Sequence, residues 1–258
     1  MAGIFSGVVI LITVSREHAP ILVLTIDRPA RRNALGDETI KALRRALKDA
    51  ESDETVRATI ITGSAPGFCA GSDLKELAQM NLAAMCEHEA DTALVAREIA
   101  QLRKPVIAAV EGFALGGGFY FAASCDLVVS SRSCRWHLPE VRNGWIPPWG
   151  LEALVARVGV VTARRLTWGG EECDGVEAHR IGLADYLAAD GDSLASALVI
   201  AARLAQLPGE AVSATKLYFA AQATHFGETG DAIANRMFGD NCRHPAAAAT
   251  LERFGVKL

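Results

Sequence analysis

The sequence predicts an α/β protein in which a parallel-rich sheet precedes a mostly helical C-terminal part. Through the first 140 residues, short β-branched runs alternate with helical stretches, a pattern typical of strands joined by crossover helices. From Gly150 to the end, the pattern is almost wholly helical. Half of the 258 residues are hydrophobic, which is enough for a large core.

The predicted strands are runs of β-branched and apolar residues bounded by turn signals. The first two pair across a turn that contains Pro20, and the next two are continuous apolar runs of the kind found in buried strands. In chain order, the predicted strands cover residues 8–14, 21–26, 56–63, 105–110, 126–131 and 134–138.

Helices are predicted between these strands. The helix at 36–51 has an apolar face made of Ile40, Leu43, Leu47 and Ala50. A turn-rich loop at 65–77 enters a short helix, residues 81–103 are helical, and another helix opens at the glycine run near residue 117.

The composition argues against several classes of function. The formal net charge is −4, so the sequence does not suggest nucleic acid as a partner. The six cysteines are scattered without a C-x-x-C pair, which favours buried thiols in a reducing cytoplasm over disulfides or a metal site. The N-terminal run GIFSGVVILITV is too short to span a bilayer and lacks the basic start of a signal peptide, so we expect a first strand and no membrane partner.

The stretch ALGGGFYFAASCD at 114–126 places Gly116, Gly117 and Gly118 between a predicted strand and a predicted helix. Consecutive glycines let a ligand approach the backbone and allow positive φ. The first N–H groups of a helix lie at the positive end of its dipole without intrahelical partners, so they bind an anion or an oxygen that becomes one. A dinucleotide-binding loop is one rival interpretation, although it needs a further glycine deeper in the helix. A close crossing of helix and strand without a ligand is the other.

A second loop, FCAGSDLKEL at 68–77, has the same character. It follows a buried strand, turns at Gly71 and enters a helix near Asp73. Two bare loops at helix entries can aim two backbone N–H groups at one oxygen, which is the arrangement of an oxyanion hole. Ser72 lacks a G-x-S-x-G context, so we expect its N–H to matter more than its hydroxyl.

Four segments, taken in order, resemble the enoyl-CoA hydratase/isomerase family, also called the crotonases. They are LTIDRPARRNAL (24–35), GFCAGSDLKEL (67–77), KPVIAAVEGFALGGGFYFAASCDLVVSS (104–131) and HLPEVRNGWIPPWGLEAL (137–154). The resemblance implies a crotonase-like spiral of ββα units followed by C-terminal helices that trimerise. It implies a CoA-binding and catalytic core at 1–195, an oligomerisation region at 196–258, and a homotrimer or hexamer.

The resemblance also implies an acyl-CoA substrate and no separate cofactor, since coenzyme A arrives as part of the substrate. The backbone N–H groups of Ser72 and Gly117 would hold the thioester oxygen of an enolate-like intermediate. Arg253 or Lys257 would lie where the C-terminal helix meets the CoA of a neighbouring subunit. The implied CoA-binding residues are Arg31, Arg32, Ala70, Ser72, Asp73, Leu74, Gly116 and Gly117.

The hydratases of this family use two glutamates that position one water. Glu140 matches the second glutamate, whereas Tyr120 stands at the position of the first. A phenol with a pKa of about 10 is not a base at pH 7, so Tyr120 either donates a hydrogen bond as a catalytic residue or fills space. With Glu140 as the single acid/base, double-bond migration remains possible, because it needs only one proton-transfer group. Hydration in this family uses two such groups, and here one of the two is missing. Outside the family frame, Glu140 is expected to be solvated and His137 to be a buried histidine away from the pocket.

Three alternatives stay open from the sequence. The aromatic residues at 119, 120, 136, 145 and 149 fit a hydroxycinnamoyl-CoA-type hydratase-lyase, or they simply pack the core. A CoA-binding paralogue with little turnover would account for Tyr120. One crotonase homologue binds RNA, but the basic residues of the first predicted helix are interleaved with acids, which favours a solvated face. Those basic residues are Lys41, Arg44, Arg45 and Lys48.

Overall fold

The computed structural model describes residues 11–223 and 227–256. Within these ranges, strands β1 to β8 cover Ile12–Ser15, Ile21–Ile26, Ala58–Gly63, Val106–Val110, Phe113–Leu115, Leu127–Ser131, Arg135–His137 and Tyr186–Ala188. Helices α1 to α11 cover Asp37–Ser52, Leu74–Leu77, Leu82–Gln101, Gly117–Ala123, Glu140–Asn143, Leu151–Gly169, Gly175–Arg180, Ser193–Ala205, Gly209–Ala223, Gly227–Cys242 and Pro245–Arg253, and a 3-10 helix covers Pro29–Arg31. The predicted α/β class is confirmed.

A six-stranded sheet in the order β1-β2-β3-β4-β6-β8 forms the centre of the fold. All neighbouring strands are parallel except the antiparallel pair β1 and β2. Side chains alternate between two cores, with Leu24 and Ile61 on the face covered by α1, α3 and α4, and with Val23 and Ile60 on the face covered by α8. Because both faces are buried, the central strands have continuous apolar sequences.

Two short strands, β5 and β8, were missing from the sequence analysis. The predicted strand at 134–138 is β7, but it pairs with β5 in a separate two-stranded parallel sheet. β8 lies inside the part of the chain predicted to be helical and pairs with β6 at the edge of the large sheet. Both missed strands have three residues, which is too short for a period of two to be recognised. Residues 8–10 of the first predicted strand lie outside the described residues.

The C-terminal helices hold the segment that follows α5. Trp145 packs edge-to-face on Phe238 of α10, with ring centroids 6.2 Å apart. Asp231 of α10 pairs with Arg97 of α3 and accepts the Gly150 N–H at 2.9 Å. None of the helices in the described ranges has the length and apolar character needed to cross a membrane.

Candidate active site

Two glycine-bearing loops converge at the N-terminus of α4. In the loop before α2, the Gly71 carbonyl accepts the Leu35 N–H at 2.8 Å, and the Asp73 N–H donates to the Leu35 carbonyl at 3.0 Å. The same loop is joined to β5, because the Leu115 N–H donates to the Cys69 carbonyl at 3.0 Å. These backbone hydrogen bonds bring together the segment 24–35, the loop at 67–77 (the first glycine loop) and the stretch at 114–126 (the second glycine loop).

Gly71 approaches the backbone of Gly117 too closely to carry a side chain. Gly71 has a φ of +87°, and a Cβ placed on it would lie 2.9 Å from the Gly117 nitrogen. A Cβ on Gly117 would lie 3.6 Å from the Ser72 nitrogen. Within the described residues, neither the Ser72 N–H nor the Gly117 N–H donates to a protein acceptor. Two unpaired donors on neighbouring loops are what an oxyanion hole requires, and that role for them stays a prediction.

The three consecutive glycines serve different purposes. Gly116 has a φ of +51°, and a Cβ there would lie 3.0 Å from Glu140 Oε1. A Cβ on Gly117 would make only ordinary contacts, the nearest at 3.4 Å from Trp149 Cζ2. A Cβ on Gly118 would lie 2.3 Å from the Cys69 carbonyl oxygen. The close-crossing interpretation therefore holds for Gly118, whereas Gly116 and Gly117 leave space beside Glu140 and Trp149.

Glu140 is a buried carboxyl that faces the glycine run. It begins α5, is 7% exposed, and its Oε2 has no hydrogen-bond partner among the described residues. Burial raises the pKa of Glu140 to about 8; a hydrogen bond from its own backbone N–H opposes this, and the charge of Glu89 adds to it. The solvated alternative is therefore wrong. A carboxyl with a pKa near neutrality can both accept and return a proton.

Tyr120 is a fully buried ring that packs next to Trp149. It is 1% exposed, its ring centroid is 5.9 Å from that of Trp149, and its hydroxyl has no hydrogen-bond partner among the described residues. Burial, and then the charge of Glu140, raises the pKa of Tyr120 well above its ordinary value. The phenol is therefore protonated at neutral pH and is not a base there.

Glu89 is a second buried carboxylate that the sequence analysis missed. It lies on α3, is 4% exposed, and accepts hydrogen bonds from Ser72 Oγ at 2.7 Å and from Trp149 Nε1 at 2.8 Å. Its position shares the helical spacing of the buried residues Met85 and Ala93. An acid on the apolar face of a predicted helix was the signal that could have revealed it.

Several of the predicted CoA-binding residues lie around the first glycine loop. Arg31 has a side chain that is 40% exposed, and Leu74 is 40% exposed. The Arg32 guanidinium lies 4.8 Å above the centre of the Phe113 ring, and the Arg32 carbonyl accepts the Ala70 N–H at 3.1 Å. Arg31 lies 3.9 Å from the Asp73 carboxylate but remains partly exposed, whereas Arg32 stacks on a ring of the protein.

The carboxylate of Asp73 is occupied by the protein itself. Asp73 is 3% exposed, accepts from Arg28 at 2.8 Å, and caps α2 by accepting the Lys75 N–H at 3.1 Å. Arg28 also reaches Glu76 at 3.2 Å. Arg28 lies in the family-like segment 24–35 but was not singled out in the sequence analysis. The Asp73 side chain thus holds the loop in shape.

His137 is a buried histidine that serves the site through its backbone. Its carbonyl accepts the Gly116 N–H at 2.9 Å, while its Nδ1 has no hydrogen-bond partner among the described residues. Burial lowers the pKa of its imidazole, against the charge of Glu172. This placement matches the expected buried histidine.

Three basic residues of α1 pair with acids. Lys41 pairs with Glu38 at 2.8 Å, and Arg44 and Lys48 both pair with Glu98. Their pairing with acids agrees with a solvated face on α1. Arg253 donates to Thr250 Oγ1 at 3.0 Å, and Lys257 lies outside the described residues.

The aromatic residues divide between the core and the site. Trp136 packs edge-on against Phe119, with centroids 5.2 Å apart, and donates to Ser130 Oγ at 3.0 Å. It is therefore a core residue, as Trp145 is in the packing of α10. Trp149 instead lines the site and also borders a cavity of about 790 Å³ between α3, α6 and α9.

Nearly the whole chain matches one family of enzymes, since the model of the enoyl-CoA hydratase/isomerase family aligns with residues 16–257. The chain belongs to the enoyl-CoA hydratase/isomerase family. This confirms the resemblance carried by the four sequence segments. Enzymes of the family act on acyl-CoA thioesters, and this protein is one of its enzymes.

Relatives within the enoyl-CoA hydratase/isomerase family include named hydratases. The 2,3-dehydroadipyl-CoA hydratase of Escherichia coli K12 is 36% identical over 204 residues, covering 79% of each chain. The mouse mitochondrial methylglutaconyl-CoA hydratase is 37% identical over 173 residues, covering 66% of this chain and 55% of that protein.

Solved structures share the fold. An enoyl-CoA hydratase from Bacillus anthracis has a TM-score of 0.77 at 27% identity, covering 86% of this chain and 91% of that chain. A monofunctional enoyl-CoA isomerase from M. smegmatis has a TM-score of 0.71 at 26% identity, covering 86% of this chain and 98% of that chain. The crotonase-like fold is therefore confirmed, and trimerisation stays a prediction.

Proposed function

We propose that this enzyme forms an enolate from an acyl-CoA thioester, with the Ser72 and Gly117 N–H groups on the thioester oxygen and Glu140 as the acid/base. The observation that carries the proposal is the position of the buried Glu140 carboxyl beside Gly116, where a Cβ would lie 3.0 Å from Oε1. The carboxyl and the unpaired N–H groups therefore border the same glycine run. Removing a Cα proton needs a base near that carbon and donors at the oxygen that gains charge.

Double-bond migration is the reaction that this arrangement supports best. Glu140 takes a proton from Cα of a 3-enoyl-CoA, and the electron pair moves onto the thioester oxygen. The same carboxyl then returns the proton to Cγ as the double bond shifts to the 2-position. One proton-transfer group completes the cycle, and the protonated Tyr120 supplies no second base.

Hydration is the second candidate function. Two of the relatives described above are hydratases by name. In addition, a second carboxylate, Glu89, lies near enough to Glu140 for its charge to raise the pKa of Glu140. Chain cleavage of a hydroxycinnamoyl-CoA-type substrate, or CoA binding with little turnover, would be recognised as separate outcomes of one substrate screen.

The assembly and compartment are also proposals. We propose a homotrimer, or a hexamer of two trimers, because large apolar side chains lie at the surface of a single chain. Val161 is 75% exposed and Trp168 is 69% exposed on α6, and Tyr218 is 64% exposed on α9. A cytoplasmic location is supported by the six free cysteines, since thiols stay reduced there.

A screen of acyl-CoA substrates by mass spectrometry tests the function. It would include a 3-enoyl-CoA, crotonyl-CoA, feruloyl-CoA and a saturated acyl-CoA, with product mass and retention separating water addition, double-bond shift and chain cleavage. We expect the 3-enoyl-CoA to isomerise, with activity lost in Glu140→Gln and kept in the matched control Glu171→Gln, which changes an exposed glutamate. Near-wild-type turnover by Glu140→Gln would contradict the mechanism, and tight CoA binding without any product would favour a non-catalytic paralogue.

A further inference from the structure

Glu89 connects three separate parts of the chain through one carboxylate. Its Oε1 accepts the Ser72 hydroxyl at 2.7 Å, and its Oε2 accepts the Trp149 indole N–H at 2.8 Å. Ser72 belongs to the first glycine loop, Glu89 to α3, and Trp149 to the segment before α6. Both oxygens are therefore engaged, one by Ser72 and one by Trp149.

Both partners of Glu89 are close neighbours of Gly117. A Cβ on Gly117 would lie 3.4 Å from Trp149 Cζ2 and 3.6 Å from the Ser72 nitrogen. The residues that Glu89 holds thus border the space where the proposed oxyanion would form.

The charge of Glu89 is buried without a cation. The residue is 4% exposed, and within the described residues no lysine or arginine pairs with it. Its neighbour His88 turns instead to Asp37, with Nδ1 at 2.5 Å from Oδ1. Burying a carboxylate costs stability unless hydrogen bonds hold it, and here the two bonds to Ser72 and Trp149 do so.

We propose that Glu89 is a positioning residue for enolate formation, holding the Ser72 loop and the Trp149 ring beside Gly117. This inference rests on the enolate mechanism proposed above. Without the carboxylate, the loop and the ring are no longer joined, and the Ser72 N–H loses its fixed direction. A displacement of about 1 Å near a reacting centre costs roughly 10²-fold in rate.

Glu89 also acts on Glu140 through its charge. Burial is the main cause of the raised pKa of Glu140, and the negative charge of Glu89 adds to it. Tyr120 also interacts with Glu140, but its own raised pKa keeps it neutral. Glu89 also acts on two thiols. Burial is the main cause of the raised pKa of Cys86 and Cys242, and the negative charge of Glu89 raises both further. A neutral residue at position 89 should therefore lower the pKa of Glu140.

The first test uses the intact protein with butyryl-CoA in D2O, because the Cα hydrogens exchange when an enolate forms. In Glu89→Leu the side chain offers no acceptor, so both hydrogen bonds are lost, whereas a glutamine could keep both by donating its NH2 to Ser72 Oγ. In Glu89→Leu we expect the exchange rate to fall roughly 10- to 100-fold, the affinity for butyryl-CoA to stay near that of the wild type, and the pH midpoint of exchange to move to lower pH. The matched control is Glu87→Leu, which changes an exposed glutamate on the same helix and should change none of these.

The second test does not depend on proton transfer. The thioester carbonyl of bound butyryl-CoA, labelled with carbon-13, has a stretching frequency that falls when N–H donors polarise it. We expect this shift to persist in Glu140→Gln and to shrink in Glu89→Leu. If Glu89→Leu does not fold, Ser72→Ala and Trp149→Phe each remove one bond to the carboxylate and should each reduce the shift.

The outcomes separate the two proposals. Exchange at the wild-type rate in Glu140→Gln would overturn the enolate mechanism itself, independently of Glu89. If Glu140→Gln is inactive while Glu89→Leu matches the wild type in rate, pH midpoint and carbonyl frequency, the positioning role is wrong. The same conclusion follows if Ser72→Ala and Trp149→Phe both leave the carbonyl frequency unchanged.

Discussion

Gly150 lies directly against Tyr120, since a Cβ at position 150 would come within 2.6 Å of Tyr120 Cβ. Gly150 also has a φ of +81°, and its N–H is held by Asp231 of α10 at 2.9 Å. The backbone of this segment therefore packs tightly against Tyr120, and the Trp149 ring packs beside the Tyr120 ring. A ring packed this closely, with an unpaired hydroxyl, fits a spacer better than a hydrogen-bond donor.

The spacer role predicts that Tyr120→Phe is tolerated. The change keeps the ring and removes a buried hydroxyl that has no partner among the described residues. We expect the free energy of unfolding to change by less than about 1 kcal/mol and turnover to stay within a few-fold of the wild type. Chemical denaturation and the acyl-CoA screen measure these quantities. A loss of roughly 10²-fold or more in turnover would instead make the hydroxyl a catalytic donor.

Tyr120→Glu tests whether a second carboxylate restores hydratase chemistry. Tyr120 stands where the family's hydratases carry their first glutamate, so the variant should add water to crotonyl-CoA faster than the wild type does. It should also lose stability, because the new carboxyl is buried. Tyr120→Gln, which has a similar size and no acidic group, is the matched control. Wild-type turnover of crotonyl-CoA at ordinary hydratase speed would show that this interpretation of Tyr120 is wrong.

Glu140 should make the folded state less stable as the pH rises. Its pKa is raised from 4.5 to about 8, so between these values the native state keeps a proton that the unfolded chain has lost. Because the unfolded state then binds fewer protons, the free energy of unfolding falls as the pH rises through this window. Glu140→Gln removes the titration and should flatten this part of the pH dependence in denaturant titrations. An unchanged slope in the variant would contradict the raised pKa.

Gly117 and Gly118 should respond differently to the same substitution. A Cβ on Gly117 makes contacts of 3.4 Å or more but enters the space beside Ser72 and Trp149, so Gly117→Ala should cost up to roughly 10²–10³ in rate with little change in stability. A Cβ on Gly118 would lie 2.3 Å from the Cys69 carbonyl, so Gly118→Ala should destabilise the fold by about 1–3 kcal/mol. Thermal unfolding and turnover of the pair provide the comparison. Equal losses of stability in both variants would argue against a site role for Gly117.

The protein should be an oligomer in solution. The exposed apolar side chains of Trp168, Tyr218 and Phe219 would be covered in a trimer. Light scattering at micromolar concentration should therefore give three or six times the mass of one chain. A stable monomer under these conditions would contradict the predicted trimer.

The sequence by itself determined the elements whose signal is local. The amphipathic spacing of α1, the apolar runs of β3 and β4, and the glycine loops at 67–77 and 114–126 are all patterns of neighbouring residues. The spacing from the glycine run to Glu140 also lies within one continuous stretch of chain. Each of these features follows from periodicity or from backbone freedom, which a single segment carries.

Only the tertiary structure decided which distant residues meet. Glu89 lies on a helix far from the glycine run in sequence, and its contacts with Ser72 and Trp149 exist because α3 packs against both segments. The raised pKa of Glu140 likewise depends on burial, which no sequence pattern around it reports. The physical reason is that hydrophobic burial sets local periodicity, whereas contacts between remote side chains depend on how all the elements pack together.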